Sequence, residues 1–412
     1  MTQGTRPEQA DLLISGGDVF IDGGLRRGDV AIVGTEIAFV GDAEGIRAAE
    51  TVDATGAVVA PGLIDMHTHV NWGNYRLGIN ADKMAAISGV TTWVDAGTQG
   101  ASGIEGLLRH VVPNTRAEIV PFLNFSYIGL APAGMMTREV GELWEPSFGD
   151  LAAVLRADAE HPGAIRGIKV RASSNAIGNN AALVMPQARE AADVLGVPLM
   201  LHVGMAPPVI DEVIPFLREG DLLTHCFHPH AGGKIMGPDG LVRPSVRAAV
   251  DRGVLLDVGH GNASISHAIT LSALEQGFAP HTISSDMHAE KSPTLQSLLT
   301  VAEMFLAMGM SLTDVLARLT TNPAAALGRQ DIGTLEAGTV ADIAVLRVAE
   351  ANTVKRDSLG FPITLTTALQ HVLTVKDGRR LEAPVDDRRE FVDSPWVSRF
   401  SGADDMTEEE EG

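Results

Sequence analysis

The chain has 412 residues, 45% of them hydrophobic and 20% charged, which is typical of a folded protein with room for a large barrel and a small second domain. Its 52 acidic residues outnumber its 31 basic residues and give a formal net charge of −21, which argues against nucleic acid or an anionic membrane as a partner. The single cysteine, Cys226, excludes an internal disulfide, and no apolar run has the length of a signal peptide or a membrane span, so we expect a cytoplasmic protein.

Short strands and tight turns are predicted for residues 1–60. The segments DLLISGGDVFIDGG, RRGDVAIVGTEIAFVG and TVDATGAVVAPG alternate apolar and polar residues and contain Gly-Gly and Gly-Asp pairs. We interpret residues 1–60 as the first part of a small β domain.

Between residues 61 and 328, apolar runs rich in β-branched residues alternate with helix-like segments. Such runs indicate strands buried on both faces, and their alternation with helices indicates a parallel sheet. Eight runs fit a closed (β/α)8 barrel better than an open sheet. The runs cover residues 62–69, 91–97, 118–126, 165–173, 197–204, 221–227, 254–261 and 281–288. The last helix-like segment, 311–328, contains Asn322 and Pro323, where we expect the helix to stop.

Strand-like sequence returns after residue 328. The segments DIGTLEAGTVADIAVLRV and ALQHVLTVKDGRRL are similar in style to the N-terminal strands, so we expect residues 329–385 to complete a β-sandwich with residues 1–60. Residues 386–412 form a C-terminal extension whose acidic end, DDMTEEEEG, is predicted to be disordered. The predicted fold class is α/β, a (β/α)8 TIM barrel with a small β-sandwich domain formed by both chain ends.

Six polar side chains stand at the carboxyl ends of predicted barrel strands, the face at which barrel active sites are built. They are His67, His69, Lys169, His202, His225 and Asp286. Because side chains alternate along a strand, His67 and His69 are expected to point the same way. Neutral imidazoles and a carboxylate are ligands of borderline divalent metals, zinc first, with manganese or cobalt as alternatives.

Lys169 is the unexpected member of this set, because an ammonium group would repel a neighbouring metal ion. A lysine whose amine is neutral can instead add carbon dioxide, and the resulting carbamate can bridge two ions about 3.5–4 Å apart. We therefore predict two divalent metal ions, most readily Zn, and a CO2-derived carbamate on Lys169.

The ordered set His-x-His, Lys, His, His, Asp resembles the binuclear amidohydrolase superfamily, which includes dihydroorotases, hydantoinases and phosphotriesterases. APGLIDMHTH is similar to the strand-one signature of that superfamily, and GTLEAGTVADIAVL is similar to its returning β domain. The resemblance covers residues 10 to about 385. It implies one metal ion on His67, His69 and Asp286, a second on His202 and His225, and a carboxylated Lys169 between them. It also implies hydrolysis by a metal-bridging hydroxide, with Asp286 as the catalytic proton shuttle.

Two residues that are typical of related enzymes are missing from this chain, and their absence narrows the substrate class. Dihydroorotases usually carry an arginine two residues after the second histidine, where this chain has Asn71, and hydantoinases carry a tyrosine a few residues after the lysine, where KVRASSNAIG has none. D-aminoacylases mostly replace the lysine. The segments GIKVRAS, LTHCF and SSDMH resemble the deacetylase branch that is called dihydroorotase-like. The resemblance implies a hydrolase that cleaves the amide or ester bond of a small acylated amino or hydroxy acid.

Four further residues are candidates for substrate binding: Arg171, His288, His228 and His260. Arg171 shares the strand face of Lys169 and could clamp a carboxylate, but a structural salt bridge is an equal alternative. Three alternative functions are considered beside the deacetylase: a hydrolase of cyclic amides, a lactone or phosphoester hydrolase, and a metal-free assembly scaffold. Barrels of this kind are often dimers or larger, so a homo-oligomer is among the expectations.

Overall fold

The N-terminal part of the chain contributes six strands to the computed structural model, which describes residues 3–130, 140–261, 263–289 and 297–382. The strands are β1 (Gln3–Gly4), β2 (Gln9–Ile21), β3 (Gly24–Val33), β4 (Glu36–Gly41), β5 (Arg47–Asp53) and β6 (Val58–Pro61). β2 and β3 pair antiparallel around Asp22 and Gly23, whose φ angles of 50° and 71° fit the two-residue hairpin turn that an Asp-Gly pair favours.

Seven parallel strands follow and pair in chain order. They are β7 (Leu63–Thr68), β8 (Val90–Ala96), β9 (Glu118–Asn124), β10 (Gly167–Ala172), β11 (Leu199–Val203), β12 (Leu222–Thr224) and β13 (Leu255–Asp257). All residues of β7, β8 and β10 are buried, as expected for strands with side chains inside the barrel on one face and helices on the other.

The eighth predicted strand, residues 281–288, closes the barrel without forming a regular ladder. Single bridges join Asp257 to Thr282 and Thr68 to Met287, so the segment lies between β13 and β7. Asp286 has a φ of 51°, which takes the backbone out of the extended conformation and stops strand pairing there. The predicted barrel is confirmed, with seven regular strands and one irregular segment.

Eleven α-helices are found in the part of the chain that the structure describes. They are α1 (Ala81–Ser88), α2 (Ile104–Gly106), α3 (Leu151–Glu160), α4 (Ser174–Ile177), α5 (Ala181–Leu195), α6 (Ile210–Val213), α7 (Pro244–Asp251), α8 (His267–Glu275), α9 (Leu298–Ala307), α10 (Leu312–Leu319) and α11 (Thr321–Ala326). The starts of α1, α3 and α10 are capped by Asn80, Asp150 and Ser311, whose side chains accept backbone N–H bonds. None of these helices is long and apolar enough to cross a membrane.

The helix that was predicted to stop at Asn322 and Pro323 ends earlier, at Leu319. The chain leaves the helical conformation at Thr320, with φ −134° and ψ −83°, and a new helix begins at Thr321. Pro323 therefore lies in the first turn of α11, where a missing N–H costs no hydrogen bond.

Three C-terminal strands return to the N-terminal ones: β14 (Ile343–Arg356), β15 (Pro362–Lys376) and β16 (Arg379–Arg380). β14 pairs with β6, and together the strands from both chain ends form one nine-stranded mixed sheet, separate from the barrel sheet. The expected β domain built from both ends is thus present, although its hydrogen bonds form one continuous sheet. The boundaries at residues 60, 328 and 385 stay predictions, and the extension 386–412 lies outside the described residues.

Candidate metal centre

The six side chains that the sequence singled out line one cavity at the carboxyl ends of the barrel strands. The residues around this cavity are His67, His69, Ala96, Leu130, Lys169, Arg171, His202, His225 and Asp286. Five of the six candidate ligands are buried and His202 is half-buried. Residues more than 200 positions apart in the chain therefore meet because the barrel brings the ends of its strands together.

His67, His69 and Asp286 present one ligand atom each within 4.8 Å of one another. Asp286 Oδ1 lies 3.3 Å from His69 Nε2 and 3.5 Å from His67 Nε2. This oxygen is buried and makes no hydrogen bond to any described residue. A buried carboxylate oxygen without a hydrogen-bond donor is costly, and a cation held between it and two imidazoles removes that cost. The donor set fits a divalent metal such as zinc.

Two residues of the site have left-handed backbone conformations. His225 has a φ of 62° and Asp286 a φ of 51°, although neither is glycine. Among the described residues, the other two non-glycine positions with positive φ are Asp22 and Asp377, and each precedes a glycine in a turn. Such conformations cost about 1–3 kcal/mol each and persist where surrounding packing imposes them, often at functional sites.

Lys169 is buried, and its amine faces His67. Its Nζ lies 3.0 Å from His67 Nε2 and 3.4 Å from Met200 Sδ. No carboxylate of the described residues lies within ion-pair distance of this amine. Burial lowers the pKa of Lys169 to about 7, although Asp286 and Asp257 oppose the shift. The amine can therefore lose its proton near neutral pH, which is the state that reacts with carbon dioxide.

Burial also keeps the site histidines neutral. It lowers the pKa of His67 to about 4, with Lys169 adding to the effect, and it lowers the pKa values of His202 and His225 well below the usual range. For Asp286, burial opposes ionisation, but the neighbouring histidines outweigh it and hold the pKa well below its usual value. Neutral imidazoles beside an ionised carboxylate are the protonation states that metal ligation requires.

His202 and His225 lie side by side in the same cavity. Their ring centroids are 4.3 Å apart, and His225 Nε2 lies 4.0 Å from Asp286 Oδ2. His225 Nδ1 is 2.6 Å from the carbonyl oxygen of Gly259. A carbonyl oxygen can only accept, so Nδ1 carries the ring proton and the Nε2 lone pair faces the cavity.

Arg171 lines the same cavity and is held by Glu142, a residue that the sequence did not single out. Arg171 Nη1 lies 3.2 Å from both carboxylate oxygens of Glu142, and both side chains are buried. Glu142 belongs to the long connection between β9 and α3, where neither strand position nor residue spacing marks it. The ion pair is present, and it does not exclude a further contact of Arg171 with a ligand.

The other three substrate-binding candidates, His228, His260 and His288, are buried but do not line this cavity. His260 Nδ1 lies 2.7 Å from the carbonyl oxygen of Gly261, and His228 Nδ1 accepts a bond from the backbone of His230. The Nε2 atoms of His228 and His260 make no hydrogen bond to the described residues. A substrate-binding role for these three residues stays a prediction.

We expect Gly259→Ala to damage the centre without removing any ligand. A Cβ at this position would lie 2.5 Å from Thr224 Oγ1 and 2.7 Å from His225 Nδ1. Metal content after dialysis should fall at least about 10-fold, because partners of metal ligands are worth about 10–100-fold in affinity. The control is Gly277→Ala, because Gly277 also has a positive φ, 83° against 49° for Gly259, but has open space where the Cβ would lie. It should cost about 1–2 kcal/mol of stability and leave metal content unchanged. Equal metal content in both variants would contradict the crowding argument.

Comparison with known proteins places the chain in a family. The amidohydrolase family matches residues 58–379. A deacetylase of Agrobacterium fabrum is 33% identical over 359 residues, which cover 87% of this chain and 83% of that protein. A deacetylase of Brucella anthropi is 33% identical over 76% of each chain. The crystal structure of a dihydroorotase superposes with a TM-score of 0.82 and 30% identity over 90% of this chain and 97% of that one.

The matched residues include all six candidate ligands and the strands that present them. Membership in this family favours an enzyme over the assembly scaffold. The chain belongs to the amidohydrolase family and is a metal-dependent hydrolase of carbon–nitrogen bonds.

Proposed function

We propose that this enzyme is a deacetylase-type hydrolase that cleaves the amide or ester bond of a small acylated amino or hydroxy acid. The main support is the convergence of four imidazoles, one amine and one carboxylate on a single buried cavity. Two deacetylases are 33% identical to this chain over most of their lengths, which supports removal of an acyl group as the reaction.

The centre holds two divalent ions, with zinc as the first choice and manganese or cobalt as alternatives. His67, His69 and Asp286 hold one ion, which is supported by their ligand atoms lying within 4.8 Å of one another. His202 and His225 hold the other, which is supported by their adjacent rings.

Lys169 connects the two groups of ligands as a carbamate. Its neutral Nζ adds to the carbon of carbon dioxide and loses a proton, which converts an amine into an anion with two oxygen ligands. The position of Nζ, 3.0 Å from His67 Nε2 and without a carboxylate partner among the described residues, supports this change. An unmodified ammonium at this distance would repel the ion that His67 binds.

When bound, two divalent ions lower the pKa of water and polarise a carbonyl oxygen. The residues of the chain supply the remaining steps. Asp286 accepts a proton from the attacking water and delivers it to the leaving nitrogen or oxygen, which is general acid–base catalysis. The burial of the surrounding side chains excludes bulk water and strengthens each electrostatic contact. Arg171 binds the substrate carboxylate through the guanidinium atoms that Glu142 leaves free.

Hydrolysis of a cyclic amide is the second candidate. The similarity to a dihydroorotase structure, 30% identical over 90% of this chain, favours it. Asn71 argues against a dihydroorotase, because it stands two residues after His69 where the resemblance implies an arginine. A lactone substrate would use the same centre, so a direct comparison of substrates separates these candidates.

We expect Lys169→Ala to lower metal content and activity by more than about 100-fold, since even the partners of metal ligands are worth about 10–100-fold. A short-chain carboxylic acid, such as acetate or propionate, should restore part of both by replacing the carbamate oxygens. Protein prepared with 13C-bicarbonate should show a carbamate carbon signal that Lys169→Ala lacks. Full metal content and activity in this variant would rule out the bridging role.

Asp286→Asn is expected to lower kcat by about 10²–10⁴-fold, the usual contribution of a general acid–base group, while the fold is retained. Asp22→Asn is a matched control, because Asp22 also has a positive φ but lies in the exposed β2–β3 turn. Stopped assays at saturating substrate and melting curves of both variants test this. Unchanged turnover in Asp286→Asn would remove Asp286 as the proton shuttle.

Arg171→Met should raise KM by about 10–100-fold for substrates with a free carboxylate and change little for matched carboxamides, since a charge-assisted pair is worth about 1.5–3 kcal/mol. The panel contains N-acetyl amino acids, O-acetyl hydroxy acids of both hands, cyclic ureides and lactones. Arg189→Met is the control, because Arg189 forms another buried pair, with Asp221. Equal losses for acids and carboxamides would assign Arg171 a structural role. Turnover of cyclic ureides alone would replace the deacetylase proposal by its second candidate.

A further inference from the structure

Two buried threonines make the hydrogen bonds that fix the histidines of β7. Thr224 Oγ1 lies 2.7 Å from His67 Nδ1, and Thr98 Oγ1 lies 2.7 Å from His69 Nδ1. We propose that Thr98 and Thr224 are positioning residues that set which ring nitrogen of each histidine carries the proton and so aim both Nε2 lone pairs at the metal. This inference rests on the proposed metal centre and adds residues that act through its ligands.

Thr224 takes its orientation from Asp257 at the end of β13. Thr224 Oγ1 donates to Asp257 Oδ2 over 2.6 Å. Asp257 is fully buried and accepts two further hydroxyl bonds, from Thr282 and Ser284. Ser284 in turn accepts the backbone N–H of Gly259, so its own proton is directed to the carboxylate. Asp257 is therefore surrounded by donors and acts as a fixed acceptor.

Thr98 takes its orientation from Asp95 at the end of β8. Thr98 Oγ1 donates to Asp95 Oδ2 over 2.9 Å, and the N–H of Thr98 donates to Oδ1 over 2.9 Å. The N–H of Val70, next to His69, also donates to this carboxylate over 3.1 Å. The chain thus builds the same His–Thr–Asp arrangement twice, from different strands.

The number of protons decides the direction of each bond. A threonine hydroxyl has one proton, and here it is used on a carboxylate that accepts from every other neighbour. The hydroxyl oxygen must then accept from the histidine, so Nδ1 carries the ring proton. His67 Nε2 and His69 Nε2 are left as acceptors, both within 3.5 Å of the acceptor Asp286 Oδ1. His67 Nε2 also lies 3.0 Å from Lys169 Nζ, whereas His69 Nε2 and Asp286 Oδ1 face each other as two acceptors and repel. A cation among the three acceptors turns that repulsion into binding.

The test compares Thr98→Val and Thr224→Val with the two serine variants and with Thr92→Val. Valine keeps the volume of threonine and removes the hydroxyl, whereas serine keeps the hydroxyl. Thr92 is the matched control, because it is buried on β8 like its neighbours but its hydroxyl has no hydrogen-bond partner among the described residues. Each protein is loaded with zinc alone and dialysed against graded chelator, and metal per chain is measured.

Both valine variants should bind zinc about 10–100-fold more weakly than wild type, and the serine variants and Thr92→Val should stay within about 3-fold. In 15N-histidine-labelled apo protein, each valine variant should lose one downfield Nδ1–H proton signal that the serine variant keeps. Circular dichroism shows whether a valine variant folds. If a valine variant does not fold, the serine variant at the same position is the test. Zinc affinity and an Nδ1–H signal that are both kept in the serine variant support the inference, and a loss of zinc affinity overturns it.

A wrong metal centre and a wrong role for the threonines give different results. If wild type binds no zinc at any chelator concentration, the metal centre itself is wrong. If wild type binds zinc and the valine variants bind it equally well, with unchanged Nδ1–H signals, the centre stands and the positioning role of the threonines is overturned.

Discussion

The site depends on one constraint: its ligand atoms are buried hydrogen-bond acceptors, and the surrounding residues do not supply enough donors for them. Asp286, His67 and His69 are buried, and Asp286 Oδ1 has no hydrogen-bond donor among the described residues. A buried, unpaired carboxylate costs several kcal/mol, so a fold that keeps one needs a compensating charge. A divalent cation supplies that charge, and the ends of the barrel strands supply the ligands.

The barrel itself is shaped by this requirement. The eighth segment does not pair as a regular strand, because Asp286 turns out of the extended conformation to reach the centre. Ser284 and Ser285 of the same segment bond to Asp257 and Asp65, two buried carboxylates on the flanking strands β13 and β7. The closure of the barrel and the construction of the site therefore use the same residues. Regular strand pairing of this segment stops where the side chain of Asp286 enters the cavity.

Burial acts on the lysine and the histidines in the same direction. It disfavours every charged form, so it lowers the pKa values of Lys169 and His67 alike. Neutral nitrogen atoms are what metal ligation and reaction with carbon dioxide both need. The single low-dielectric environment thus prepares chemically different groups for one centre, and Arg171, which cannot become neutral, is paired with Glu142 instead.

The sequence by itself determined the barrel, the return of the chain to its N-terminal strands, and the six polar positions at strand ends. Strand alternation and βα order follow from local residue patterns, so they can be recognised without coordinates, and a histidine in an apolar run is conspicuous. Glu142, Thr98, Thr224, Asp95 and Asp257 were not predictable, because the site residue that each one supports lies on another strand and only the fold brings the two together. The left-handed backbone of His225 and Asp286 was likewise decided by the tertiary structure, since only packing against neighbouring strands can impose a conformation that the residues themselves disfavour.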